Sequence, residues 1–369
     1  MKFSIFETMP EEKLISQKKP AYPVTKKLGN YLKRHNRTIQ IPIFYDDLLR
    51  FQGSISVYDK HDNDTLWVRV YYNEFEREEI DLSLKKVYNI LHSNGSDASI
   101  KHLNIDAVDF CTFGNSQPFR VKVRNILNDN YTYFYVKKTD ASRIYGLELE
   151  DILSPYNLNF LVHQDTLIEE HISGIPGDVF IKDYLDDCLE IEKSQIAKEF
   201  VKFNERCMIR LLGDMRSYNY VVVPTHDFEN VVYKIRPIDF DQQCYEGKFK
   251  VYYPQFFKEN VKMVQLVSQK LPNASVEQYQ LEERSIVAKR ILGSRSRLNR
   301  LLSAMKSDNI SIPKNIQKLK SEIFDFTGDI NFKNSDGMGE ILDSALTFVR
   351  RNYEDVTLKS IIQQQQKLH

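Results

Sequence analysis

The side-chain periodicity of this 369-residue chain changes at one joint, His171-Ile172-Ser173-Gly174-Ile175-Pro176-Gly177. Ahead of the joint, alternation of apolar and polar residues dominates, the period of half-buried strands. Beyond it, Ile196, Phe200, Phe203, Cys207 and Leu211 recur at steps of three or four, which predicts a long buried helix. A chain that passes from strands to helices in this way predicts an α+β fold of two lobes. The 21 Tyr and 22 Phe residues suit the strand-bearing part.

The strand-bearing part divides further. Gly53–Tyr58 and Thr65–Tyr72 alternate around a polar loop and predict a β-hairpin. Ile80, Leu84, Val87, Tyr88 and Leu91 follow at helical spacing, and Asn94-Gly95 ends that helix. Together with the Lys-rich first 35 residues, this makes an N-terminal α/β accessory region, 1–104. From residue 105 a meander is expected: Val108–Thr112, then Arg120–Arg124 with its valines on one face, then Tyr131–Lys138. Residues 140–153 read as a helix, and Asn159–Gln164 and Thr166–His171 as two more strands. The expected boundaries are therefore 1–104, a five-stranded antiparallel lobe over 105–172, and a helical lobe over 173–369. In the last, a hairpin of Tyr220–Val223 and Val231–Arg236 is joined by the loop Pro224–Asn230.

Composition removes several classes. The 51 basic and 51 acidic residues cancel, so no global charge draws the chain to nucleic acid. No run approaches twenty apolar residues, so no membrane span is expected. Cys111, Cys188, Cys207 and Cys244 lack C-x-x-C spacing, and the eight histidines include no i, i+4 helical pair. Met1–Glu7 breaks into charges without an export signal, so a cytoplasmic location is expected.

The polar residues at element ends carry the chemistry. Asp214 and Asn219 lie five apart between the buried helix and a strand, and Asp239 follows on the returning strand. A hairpin would bring Asp239 near Asn219, giving a carboxylate and an amide oxygen, hard ligands suited to Mg²⁺. Asp214 would then be left to orient an attacking hydroxyl and take its proton. Lys137, ending the third meander strand, could reach a nucleotide's phosphates, with a helix carboxylate fixing it. The loop Phe113–Phe119, containing Gly114, Asn115 and Ser116, could cover those phosphates. These are the parts of phosphoryl transfer. Each also has an ordinary structural use: turn and cap residues for Asp214 and Asn219, edge charges for Lys137 and Lys138, solvated acids for Asp239, Asp241, Glu148 and Glu150.

In order and spacing, Tyr135-Val136-Lys137, Gly213-Asp214-x-x-x-x-Asn219 and Ile238-Asp239-Phe240 resemble the protein-kinase-like superfamily. The resemblance is to its atypical branch of aminoglycoside, choline, lipid and HipA-type kinases, over about 106–260. It implies a bilobal kinase-like fold using ATP and Mg²⁺, with Asp214 as catalytic base, and Asn219 and Asp239 as metal ligands. It further implies that Lys137 contacts phosphates, that Glu148 pairs with that lysine, and that Glu169–Ile172, including Glu170, His171 and Ile172, is the adenine-binding hinge. Leu212 in place of His, the long segment from Asn219 to Asp239, Asp-Phe-Asp, and the single loop glycine depart from ordinary protein kinases.

Three functions follow as expectations. One is a phosphotransferase acting on a hydroxyl of a small molecule or protein. Another is a non-catalytic, pseudokinase-like nucleotide-binding regulator. The last is a nucleic-acid-associated protein. For it, Arg284, Lys289, Arg290, Arg295, Arg297, Arg300 and Lys306 over 284–306 predict a basic face for an acidic, phosphorylated or nucleic-acid partner.

Overall fold

A computed structural model describes residues 19–59, 61–92, 97–114, 116–227 and 230–353. From the N-terminus the helices and strands run α1 (Lys26–Arg34), α2 (Tyr45–Leu48), β1 (Gly53–Tyr58), β2 (Asp64–Tyr71), α3 (Glu74–His92), β3 (Leu103–Cys111), β4 (Phe119–Asn125) and β5 (Tyr131–Lys138). Then come α4 (Ala141–Leu153), β6 (Phe160–His163), β7 (Thr166–Glu170), β8 (Ile175–Pro176), α5 (Gly177–Asp183) and α6 (Glu190–Arg210). The rest is β9 (Tyr220–Asp227), β10 (Asn230–Pro237), α7 (Val261–Lys270), α8 (Asn273–Gly293), α9 (Arg295–Met305), α10 (Pro313–Thr327), α11 (Ile330–Lys333) and α12 (Met338–Tyr353). The chain is α+β, and it forms two compact units.

The first unit holds Pro23–Asp140 and Leu158–His171. Its sheet has seven antiparallel strands, ordered β1-β2-β3-β4-β5-β7-β6, where five were expected. The two extra strands are the hairpin assigned to a separate accessory region. Through Trp67↔Cys111, Val68↔Phe110 and Arg69↔Asp109, β2 pairs with β3. A lone hairpin is marginal in water, whereas joining a sheet satisfies one of its edges. The helix of the same region is also absorbed: Ile80, Leu84 and Val87 of α3 share one core with Val121, Val123, Phe134 and Val136. A boundary near residue 104 therefore does not separate two cores. On the opposite face of the sheet stand Arg120, Lys122 and Arg124 of β4 and Tyr131, Tyr133, Tyr135 and Lys137 of β5, as alternation requires.

The second unit holds residues 19–22, Ala141–Asn157, and Ile172 onward. Helix α6 is its axis, packed against α7, α8 and β10. Ion pairs inside the unit tie α4 to its neighbours: Glu150 to Arg210 of α6, and Glu148 and Asp151 to Arg297 of α9, both at 2.8 Å. A small antiparallel sheet, β10-β9-β8, crosses the same unit. Strands β9 and β10 continue through most of the segment expected to be a loop, since their register runs from Tyr220↔Pro237 to Asp227↔Asn230. No helix among the described residues is long and apolar enough to cross a membrane.

The basic stretch does not form one cationic face. It is broken into α8 and α9, and Arg284 is buried against Glu205 at 2.7 Å. Arg297 is paired as above, and Lys306 bonds Asp343 at 2.5 Å. Burying a guanidinium without a counter-charge is costly, so Arg284 serves the fold, and half-buried Arg297 is taken up by Glu148 and Asp151. A docking partner on 284–306 is thus unsupported.

Candidate functional site

In the helical unit, Asp214, Asn219 and Asp239 are drawn together by main-chain hydrogen bonds. Leu211 caps α6 in the left-handed region at φ +54°, and the Leu212 N–H returns to the Cys207 carbonyl at 2.9 Å. Gly213 N–H then donates to Gln242 O at 3.2 Å. A Cβ at Gly213 would stand 2.8 Å from Val251 Cγ1, so the close approach requires glycine. Asp214 itself has φ +58°, a conformation Asp and Asn accept more readily than most residues. Ile238 N–H donates to the Asn219 carbonyl at 3.0 Å, next to the Tyr220↔Pro237 pair, and so sets Asp239 beside Asn219.

Asn219 Nδ2 donates to the main-chain oxygen of Asp214 at 2.7 Å, which leaves Oδ1 as the amide's ligand atom. Asn260, missed in the sequence, braces the loop. Its Nδ2 donates to Met215 O at 2.9 Å and Pro254 O at 2.8 Å, while its Oδ1 accepts from the Tyr220 hydroxyl at 2.9 Å.

Two arginines also missed in the sequence complete the electrostatics. Arg216 Nε donates to Asp214 Oδ1 and its Nη1 to Glu259 Oε1, each at 2.8 Å. Burial nonetheless pushes the Asp214 carboxyl up to about 7; Arg216 opposes the rise, and the charges of Asp239 and Glu259 add to it. Arg143 of α4 donates to Asp239 Oδ1 at 2.8 Å and to Asp241 Oδ1 at 2.6 Å. The sequence offered one usable hint, the acid–arginine spacing of Asp214 and Arg216. Nothing local distinguishes Arg143 from a solvated helix arginine.

Asn219 and Asp239 suit Mg²⁺ chemically: both offer hard oxygens, and the Asp239 side chain is 33% exposed and so accessible. Among the described residues no group of three or more His, Cys, Asp and Glu forms a metal cage. Mg²⁺ commonly relies on one or two carboxylates, with water and phosphate as its other ligands.

In the sheet unit, Lys137 is paired differently from the expectation. Lys137 Nζ donates to Glu169 Oε2 at 2.6 Å, with both side chains under a tenth exposed. Lys137 lies opposite Leu167, and Glu169 opposite Tyr135, so lysine and glutamate are diagonal neighbours on one sheet face. Glu148, the expected partner, takes Arg297 instead. Finding Glu169 required the β5–β7 register, which the sequence leaves open.

Gly114 has φ +88°, consistent with its turn, and Ser116 lies in the same β3–β4 connection; Asn115 is outside the described residues. The Glu170 N–H is spent on Asn159 O at 3.0 Å, so it is no hinge donor. His171 Nδ1 is 3.2 Å from the Tyr135 hydroxyl, and burial, then the charge of Arg120, hold its imidazole below the ordinary value. Ile172 is buried at the start of the helical unit's main segment.

No protein-family model and no curated protein matches the sequence. Among solved structures, the chain is similar to a Plasmodium vivax ethanolamine kinase at 10% identity and a TM-score of 0.26, over 75% of this chain and 90% of that one. A superposition of that quality does not define a shared fold.

Proposed function

We propose that this chain is an ATP- and Mg²⁺-dependent phosphotransferase that acts on a hydroxyl group. One observation carries the reading: a carboxyl with its pKa raised to about 7, Asp214, sits on the turn that also holds Asn219, and Asn219 is hydrogen-bonded to the residue before Asp239. A general base near neutrality beside two hard oxygen donors is the equipment that hydroxyl phosphorylation needs.

In this reading Asn219 Oδ1 and Asp239 hold Mg²⁺, which supplies positive charge to the phosphates. The kinase-like resemblance assigns phosphate contact to Gly114 and to Lys137, which is fixed by Glu169 rather than Glu148, and adenine contact to the main chain of His171 and Ile172. Asp214 takes the proton of the acceptor hydroxyl as its oxygen bonds to the γ-phosphorus. The bond to the β–γ bridging oxygen breaks, and ADP leaves.

A second reading, a non-catalytic nucleotide-binding module, draws on the neutralisation of Asp214 by Arg216 and of Asp239 by Arg143. Mg²⁺-ATP turnover over a panel of alcohol and protein acceptors separates the two. Turnover lost in Asp214→Asn supports the enzyme. Binding of Mg²⁺-ATP without turnover for any acceptor supports the module.

A further inference from the structure

Arg143 stands where a kinase-like site has most use for open negative charge. Its guanidinium spans Asp239 Oδ1 and Asp241 Oδ1 at 2.8 and 2.6 Å, and its side chain is only 3% exposed. The helix that carries it is locked onto the acidic segment. Ser142 Oγ donates to Gln243 O at 2.6 Å, and a Cβ on Gly146 would lie 2.9 Å from Phe240 Cβ, so α4 rests directly on residues 239–243. A guanidinium keeps its proton at any working pH, so this charge is permanent.

The consequence is electrostatic. A divalent cation arriving alone at Asp239 meets a carboxylate already shared with a buried cation, and like charges at such range repel strongly where water is sparse. Phosphate oxygens reverse the balance, because they bring negative charge that both the metal and the guanidinium can use. We propose that Arg143 is a positioning residue that makes the site bind free divalent cations weakly and accept them together with nucleotide phosphates. This rests on the phosphotransferase reading and adds to it the form in which metal enters.

The test uses Mn²⁺ as the probe, on the full chain without nucleotide, by calorimetry and by the loss of free Mn²⁺ paramagnetic signal. Arg143→Gln should tighten free Mn²⁺ binding by about tenfold or more. Arg143→Lys keeps the charge and should stay within about threefold of wild type. Mn²⁺ should also raise the melting temperature of Arg143→Gln more than that of wild type, because the metal replaces the missing cation. Equal Mn²⁺ affinity in Arg143→Gln and wild type, or equal tightening by Gln and Lys, overturns the proposal. If Arg143→Gln does not fold, Asp241→Asn decides. Concentrating Arg143 on Asp239 should weaken free Mn²⁺ binding by about a further tenfold and weaken Mn²⁺-ATP binding less, and an unchanged free-Mn²⁺ affinity refutes the idea. Failure of wild type to bind Mg²⁺-ATP would remove the phosphotransferase reading alone, since the free-Mn²⁺ response of the variants is measured separately.

Discussion

Asn219 holds Asp214 through its main chain: the amide Nδ2 donates to the Asp214 carbonyl at 2.7 Å, and this bond spans a turn in which Asp214 has φ +58°. The two residues are therefore one hydrogen-bonded unit. Asn219→Leu should cost about 1–3 kcal/mol, because it strands the carbonyl and loosens a left-handed residue. Urea unfolding measures this. A midpoint within error of wild type would show that the turn stands without the amide.

The Asp214 carboxyl gives a pH prediction with a definite sign. Its pKa is raised to about 7 from an ordinary 3.8, so the folded chain holds this proton more tightly than the unfolded chain does. The contribution is fully present below about pH 4 and is lost as pH rises through about 7. Without metal or nucleotide, the melting temperature should fall between pH 5 and pH 8, and Asp214→Asn should flatten that fall. Asn suits the left-handed backbone, so the mutation changes charge rather than shape. Identical slopes in both proteins would contradict the assignment.

Lys137 and Lys138 are neighbours with different consequences. Lys137→Ala leaves Glu169 buried beside an empty space and should cost about 3–5 kcal/mol. Lys138, whose surface pair is Asp46 at 3.0 Å, should cost at most about 1 kcal/mol. The double change Lys137→Met with Glu169→Leu should recover most of the loss, because two apolar side chains replace two matched charges. Equal losses for Lys137→Ala and Lys138→Ala in denaturant titrations would mean that the buried pair contributes nothing.

Gly213 is a steric requirement of the turn that carries Asp214. Gly213→Ala places a methyl 2.8 Å from Val251 Cγ1 and should lower stability by about 1–3 kcal/mol. Val251→Ala in the same chain should return part of that loss, even though each single change is destabilising. Additive melting-temperature losses would place the strain elsewhere.

The grouping of Asp214, Asn219 and Asp239 could be read from chain order. Asp214 and Asn219 belong to one local turn, and the run from Asn219 to Asp239 reads as a hairpin, so local geometry was enough to bring three residues together. The partner of Lys137 was not legible. Which carboxylate it meets depends on β7 lying against β5 with Lys137 opposite Leu167, a pairing between segments nearly thirty residues apart. The hairpin Gly53–Tyr71 shows the same limit. Alternation marks it as a pair of strands but cannot say that β2 will dock on β3.

By itself the sequence determined the main run of strands and then helices, where α6 ends, and which polar residues share the turn after it. Those outcomes follow from periodicity, backbone preference and contacts a few residues apart. Tertiary structure decided which charges meet. Arg143 could as well have been solvated on its helix, and only the seating of α4 on Phe240 carries it to Asp239 and Asp241. Arg284 reads in sequence as one cation of a surface run and in the fold is a buried partner of Glu205. The physical reason is the same in both cases: a buried charge is stable only beside its counter-charge, and that neighbour is supplied by a segment far away in the chain.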